Sequence, residues 1–265
     1  MSDTEEMQLT TEFEVLSIHE ESHHKKILQI ATEVPLVISA NGTELATIMS
    51  SPCDLRELVY GFLFTSGFIH KPAEVLSCEL NRDNMTMKVE LARSPDPEQV
   101  NRRIYTAGCG KGVMYFDEKG LPSKPPFDVK GILTKNQIFD LMKWFQTSGG
   151  LHKRIRGAHT AAMSVKGESP DFGYDDVGRH NAVDKVIGRA LLEQYTMEEC
   201  ILLASGRVST EITHKAIKAG VPVVLSLGTP THHAILLART MNLTLMGSAR
   251  GRQVSVFTGV ERINF

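Results

Sequence analysis

With 265 residues, 42% of them hydrophobic and 23% charged, the chain is long enough to bury a sizeable core and has the make-up of a globular protein. A formal net charge of -2 offers no basic field for nucleic acid or an anionic membrane, and no apolar run nears the roughly 18 residues a spanning helix needs. The acidic opening MSDTEEMQLTTEFE is unlike an export signal, so the expected compartment is the cytoplasm, where the four cysteines stay reduced.

Residues 1–26 read as a polar, partly disordered tail, with His23 and His24 as solvated surface. Residues 27–98 read as a small α+β lobe. Its first hairpin turns at Asn41-Gly42, a helix runs from Asp54, a plausible cap, to a stop at Gly67, and a second hairpin turns near Asp83-Asn84. Cys53 and Cys78 fall in these elements as packing residues.

Residues 99–265 alternate strand and helix. Lys135 to Thr147 reads as a helix, Ala158 to Val165 as a strand, and the run from Asp175 as the next helix. CILLAS, PVVLSL, LTLMG and VSVFTG read as further strands, with helices over TEITHKAIKAG and PTHHAILLARTM between them. Short loops between such elements predict a layered α/β domain with a mostly parallel sheet.

Three places concentrate chemistry. DDVGRHNAVDKVIG (Asp175–Gly188) carries a core stripe of Val183, Val186 and Ile187, while His180 and Asp184, four apart, share its remaining surface with Asn181 and Lys185. Asp175 or Asp176 is placed to cap this helix, and Asp184 to orient His180; the alternative is a buried polar network fastening the helix. Next come two strand-end loops, Ala204–Glu211 and Leu227–His233, each placing a Ser or Thr at a helix start, with Pro230 at a first helical position. Free N–H groups and the positive end of a helix dipole attract phosphate, and Arg207, Arg250 and Arg252 add cations. The alternative there is two well-capped helices with surface arginines. Finally, Cys109 sits between Gly108 and Gly110 with Arg102, Arg103 and Lys111 nearby in sequence, a setting that exposes and favours a thiolate, although an inconsequential loop cysteine fits the pattern equally. Zinc deaminase chemistry lacks its signature, because His159 is followed by Thr160 and Ala161 and no Cys-x-x-Cys occurs.

Taken with GFLFTSGFI, SGRVSTEITHKAIKAGVPVV, the TPT turn and the closing TLMGSARGRQVSVFTGVERI, these motifs resemble the FdhD family of formate dehydrogenase accessory sulfurtransferases over most of the chain. The resemblance implies a cytidine-deaminase-like α/β domain used without zinc. It implies a persulfide on Cys109, taken from an IscS-type cysteine desulfurase and passed to the bis-molybdopterin guanine dinucleotide cofactor for formate dehydrogenase. It further implies cofactor contacts from Ser248, Ala249, Arg250, Gly251, Arg252 and Gln253, GDP as a mimic of the ligand, and a homodimer. Arg207, Ser209, Thr229, Thr231, Arg179 and His180 complete the expected nucleotide pocket, with no nucleic acid or membrane partner. Two positions depart from the family pattern: Gly112 stands where the second cysteine of a Cys-x-x-Cys is usual, and SARGRQ lacks the aromatic that usually precedes its Ala-Arg. Gly112 leaves two functions open, an active sulfur carrier and a non-catalytic cofactor-binding chaperone; a nucleotide-modifying enzyme on the same fold is a third.

Overall fold

The computed structural model describes residues 8–96, 104–105, 113–114, 125–128, 131, 133–147, 155 and 157–265. The chain opens with a ribbon of two antiparallel strands, β1 (Thr10–His19) and β2 (Ser22–Ala31), where the sequence predicted a polar tail through Lys26. Alternation is hidden there because charged residues fall among apolar ones on both faces. Lys25, for instance, bonds Glu14 across the strands at 2.8 Å.

The small lobe is a four-stranded sheet in the order β4-β3-β6-β5, from β3 (Val34–Ala40), β4 (Thr43–Ser50), β5 (Val75–Asn81) and β6 (Thr86–Leu91). Asn41 (φ 48°) and Gly42 (φ 78°) make the expected tight turn, and the Asn41 amide both donates to and accepts from the Leu91 backbone. Helix α1 (Leu55–Thr65) follows Asp54, which is left-handed at φ 52° and makes no side-chain cap bond, contrary to expectation.

Short strands β7 (Ile104–Tyr105) and β8 (Val113–Met114) pair antiparallel. Cys109, Gly112, Arg102, Arg103 and Lys111 lie outside the described residues. Strand β9 (Leu133–Thr134) leads into α2 (Lys135–Thr147), as the sequence predicted.

The central sheet has six strands in the order β11-β10-β12-β13-β14-β15: β10 (His159–Val165), β11 (Phe172–Asp176), β12 (Cys200–Ala204), β13 (Val223–Ser226), β14 (Thr244–Arg250) and β15 (Gln253–Thr258). Only β12–β13 and β13–β14 run parallel, so the sheet is mixed rather than mostly parallel. The difference arises from hairpins at both edges, β10–β11 and β14–β15, and from β10 running antiparallel to β12 across β11 and the following helix; the Gly and Asp residues of β11 masked it in the sequence. Helices α3 (Arg179–Leu192), α4 (Thr210–Ala219) and α5 (His232–Thr240) cover one face, with Val183, Ile212 and Ala238 against Leu202, Val224 and Leu245. On the other face α2 sets Leu141, Met142 and Phe145 against Ile201, Leu203 and Val223. Strand β16 (Ile263–Asn264) pairs with β9 beneath it.

Lobe and α/β layers share one apolar core, because α1 crosses α3 at backbone contact. A Cβ on Gly61 would lie 1.9 Å from the Asp184 carbonyl oxygen, and one on Gly188 would lie 1.9 Å from that of Glu57. No larger residue fits either position without moving a helix. None of the described helices is long and apolar enough to cross a membrane.

Candidate functional site

Since β12, β13 and β14 are parallel, their carboxyl ends open on the same side, where α/β sheets bind ligands. Three loops meet there. The Ser226 hydroxyl lies 3.0 Å from the Ala204 carbonyl and 2.6 Å from that of Gly206, and accepts the Gly228 N–H at 3.0 Å. Thr231 N–H reaches the Val208 carbonyl at 3.0 Å, and Ser248 N–H the Gly228 carbonyl at 3.0 Å. A Cβ on Gly228 would sit 2.5 Å from the Gly206 carbonyl oxygen, so glycine lets the first two loops touch.

The third loop is a bulge. Pairing of β14 with β15 slips between Gly247 and Arg250, and Ser248 takes φ 54°. This turns the Ser248 hydroxyl to within 2.9 Å of Thr229 Oγ1 while Ala249 stays buried. Arg250, Gly251, Arg252 and Gln253 are exposed around the turn, as are Arg207 and Thr229. The Arg252 guanidinium carbon lies 5.5 Å from the Phe139 ring centroid on α2.

The expected residues therefore fall into a group and its neighbours. Arg207, Ser209, Thr229, Thr231 and Ser248 lie on loops bonded to one another. Ser209 caps α4, its Oγ accepting the Ile212 N–H at 3.4 Å; Thr231 is the N-cap of α5 without a side-chain bond, so Pro230 precedes the cap instead of occupying the first helical position. Arg179 packs beside Gly206, since a Cβ there would approach Arg179 Cβ and Cδ at 3.2 Å each. Among the described residues, its buried Nε has no hydrogen-bond partner. His159, which sequence patterns did not single out as a pocket residue, borders the same glycine with Nδ1 3.2 Å from that Cβ position. Its only signal is its place at a strand start, which has meaning once the sheet order is known.

His180 Nε2 lies 3.0 Å from Ser209 Oγ and 3.5 Å from Glu211 Oε2. Burial pushes its pKa down to about 4, against the pull of Glu211, so the ring is neutral at pH 7. Glu211, not Asp184, is the carboxylate beside it. Asp184 instead binds Lys215 at 2.7 and 2.9 Å and accepts Thr65 Oγ1–H from α1 at 2.9 Å. Burial pushes the Asp184 carboxyl above its usual range, while Lys215 and Thr65 draw it back.

Nor do Asp175 and Asp176 cap α3; Gly178 is its N-cap. Asp176 accepts from Gly178 N–H and the Asn181 amide and pairs with fully buried Lys185 at 2.7 Å. Asp175 instead receives the Thr160 hydroxyl, and its carbonyl accepts from Lys185 at 3.0 Å.

Cys53, 3.7 Å from Lys185 Nζ, has its thiol pushed up to about 12 by burial; Cys200 is likewise pushed to about 12 and Cys78 to about 11. All three are thiols at neutral pH and poor nucleophiles. Among the described residues, no group of three or more His, Cys, Asp or Glu side chains is arranged to hold a metal ion.

The chain is 37% identical over 235 residues to the sulfur carrier protein FdhD of Staphylococcus haemolyticus, covering 88% of each chain. It is 36% identical over 238 residues to that of Staphylococcus aureus strain MRSA252, covering 89% of each. Its fold matches a crystal structure described as a formate dehydrogenase accessory protein from Desulfotalea psychrophila, with TM-score 0.78, 24% identity, and coverage of 97% of this chain and 100% of that one. The FdhD/NarQ family model matches residues 31–264, and the chain belongs to that family.

Proposed function

We propose that this protein is a cytoplasmic sulfur carrier. It takes sulfur from a cysteine desulfurase as a persulfide on Cys109. It then passes that sulfur to the bis-guanine-dinucleotide molybdenum cofactor, its cargo, before the cofactor enters formate dehydrogenase. The observation that carries the reading is the meeting of three loops at the carboxyl ends of parallel strands, rimmed by exposed Arg207, Arg250 and Arg252. Such a rim suits the pyrophosphates of a dinucleotide, with charge-assisted bonds from the guanidinium groups. Ser209, Thr229, Thr231 and Ser248 supply hydroxyls, Ala249, Gly251 and Gln253 shape the turn, and Arg179 and neutral His180 form the wall from α3. The relatives' names support the sulfur half of the reading, and the structural neighbour's description supports the link to formate dehydrogenase.

The first transfer is a thiol–disulfide exchange. The Cys109 thiolate attacks the outer sulfur of the desulfurase persulfide, a new S–S bond forms on Cys109, and the desulfurase cysteine leaves as thiolate. Release as sulfide needs two electrons. With Gly112 in place of a second loop cysteine, and with Cys53, Cys78 and Cys200 held protonated, the electrons come from an external thiol pair that ends as a disulfide. A homodimer is part of this proposal.

Gly112 favours one other reading, a chaperone that docks the cofactor and the apoenzyme without moving sulfur. Complementation separates the two. In cells lacking this protein, a Cys109→Ala variant should leave formate dehydrogenase inactive; restored activity would favour the chaperone.

A further inference from the structure

The β1–β2 ribbon is largely exposed on both faces. Its strands pair with each other alone, and its base joins the body through Thr32 N–H to the Leu9 carbonyl and through Ala31 against Ile155 and Ala158. Of the twelve exposed large hydrophobic side chains among the described residues, six stand here: Phe13, Leu16, Ile18, Ile27, Leu28 and Ile30. A lone two-stranded ribbon is marginally stable in water, so an apolar surface of this kind calls for cover. Cross-strand register sorts the side chains onto two faces. Glu12, Glu14, Leu16 and Ile18 of β1 share one face with His23, Lys25 and Ile27 of β2, and the Glu14–Lys25 bond spans it. This face carries the ribbon's three most exposed apolar groups, Leu16, Ile18 and Ile27, at 56–76%. Its acids all lie on β1 and its bases all lie on β2.

We infer that a second copy of the chain docks on this face, ribbon on ribbon, about a two-fold axis running along the strands. This contact names a surface for the homodimer of the proposed function, on which it rests. Such an axis lays β1 of each copy on β2 of the other, and the face is then complementary to itself. Glu12 and Glu14 come over the basic strand, and Leu16 and Ile18 come against the partner's Ile27. A two-fold across the strands would instead set β1 on β1 and β2 on β2, acid beside acid and base beside base. Because each ribbon already holds both charges and the apolar groups between them, a second copy supplies everything the face lacks. Two ribbon faces of about 34 by 10 Å cover roughly 700 Å² in all. That is less than the ~1,200 Å² at which stable interfaces begin. The association is therefore reversible, and dilution reads its strength.

Sedimentation of the full chain over a dilution series tests the contact. The unaltered protein should pass from dimer to monomer. Leu16→Ser should raise the dissociation constant about tenfold, since both copies lose the side chain. Glu14→Lys alone and Lys25→Glu alone should each raise it at least about tenfold by setting like charges across the axis. An equimolar mixture of those two variants should recover the dimer, because one copy is then basic on both strands and the other acidic on both. A photo-crosslinker placed at Ile18 should join β2 of the second copy. A dimer indifferent to the three variants overturns the ribbon contact and leaves the homodimer on another surface. Failure of mixing to restore association overturns the β1-on-β2 pairing, and the inference with it. A monomer at every concentration ends both the contact and the homodimer. Variants that leave association unchanged yet abolish formate dehydrogenase activity in cells would assign the ribbon to a different protein, also overturning the inference.

Discussion

Two successive turns of α3 are built from the same kinds of residue and have opposite surroundings. In the second turn, Asp184 and Lys185 are buried, each closed against one opposite charge at 2.7 Å. In the first turn, Arg179 and His180 remain partly exposed beside Gly206 and Ser209. The second turn reaches into α1 and α4 through Thr65 and Lys215. In the first turn only buried Asn181 joins that frame, donating to the Met49 carbonyl of the β3–β4 hairpin, while Arg179 and His180 look out at the loops. Polar density thus marks a ligand wall only where the helix meets an opening; one turn further on, the same residue types become the frame.

Four changes distinguish the two turns. The largest effect is expected in the frame. Lys185→Ala or Lys215→Ala strands a buried carboxylate and should lower the unfolding free energy by about 3–5 kcal/mol in denaturant titration. A loss below about 1 kcal/mol would deny these pairs their role. Next is pH. His180 is neutral in the folded state down to about 4, whereas an unfolded histidine titrates near its ordinary value of 6.5. Between those values the unfolded chain binds more protons, so this stability is present above pH 6.5 and lost as pH falls toward 4, by up to ~3 kcal/mol. Unfolding curves of His180→Gln should lack that share of the slope.

In the third change, Arg250→Ala should weaken GDP binding about tenfold by calorimetry while leaving stability within ~0.5 kcal/mol. Unchanged affinity would remove Arg250 from the pocket. Smallest is Thr229→Val, which takes one hydroxyl from the Ser248 contact and should cost no more than ~1 kcal/mol in either measurement.

Legibility in the sequence followed how local the cause was. The Asn41-Gly42 turn, α2 over Lys135–Thr147 and the alternation of strands with helices were readable because each depends on neighbours along the chain. So was the family. Strand direction was not, since hairpin edges versus parallel crossovers are decided by tertiary pairing; nor was β1–β2, whose faces mix charge and apolar groups. Within the site, the two loops were readable as strand ends, whereas Ser248 was expected only through the family resemblance. The partners of α3 were not, because Lys215, Thr65 and Glu211 reach it from other elements. Spacing along the helix suggested Asp184 for His180; packing brought Glu211 to it from α4.

Sulfur on Cys109 is the central claim, and mass spectrometry tests it most directly. After incubation with a cysteine desulfurase and cysteine, peptide mapping should find one additional sulfur on Cys109 and none on Cys53, Cys78 or Cys200, whose thiols burial keeps protonated. An unmodified Cys109, in a protein that still binds GDP, would contradict the carrier reading and leave the chaperone.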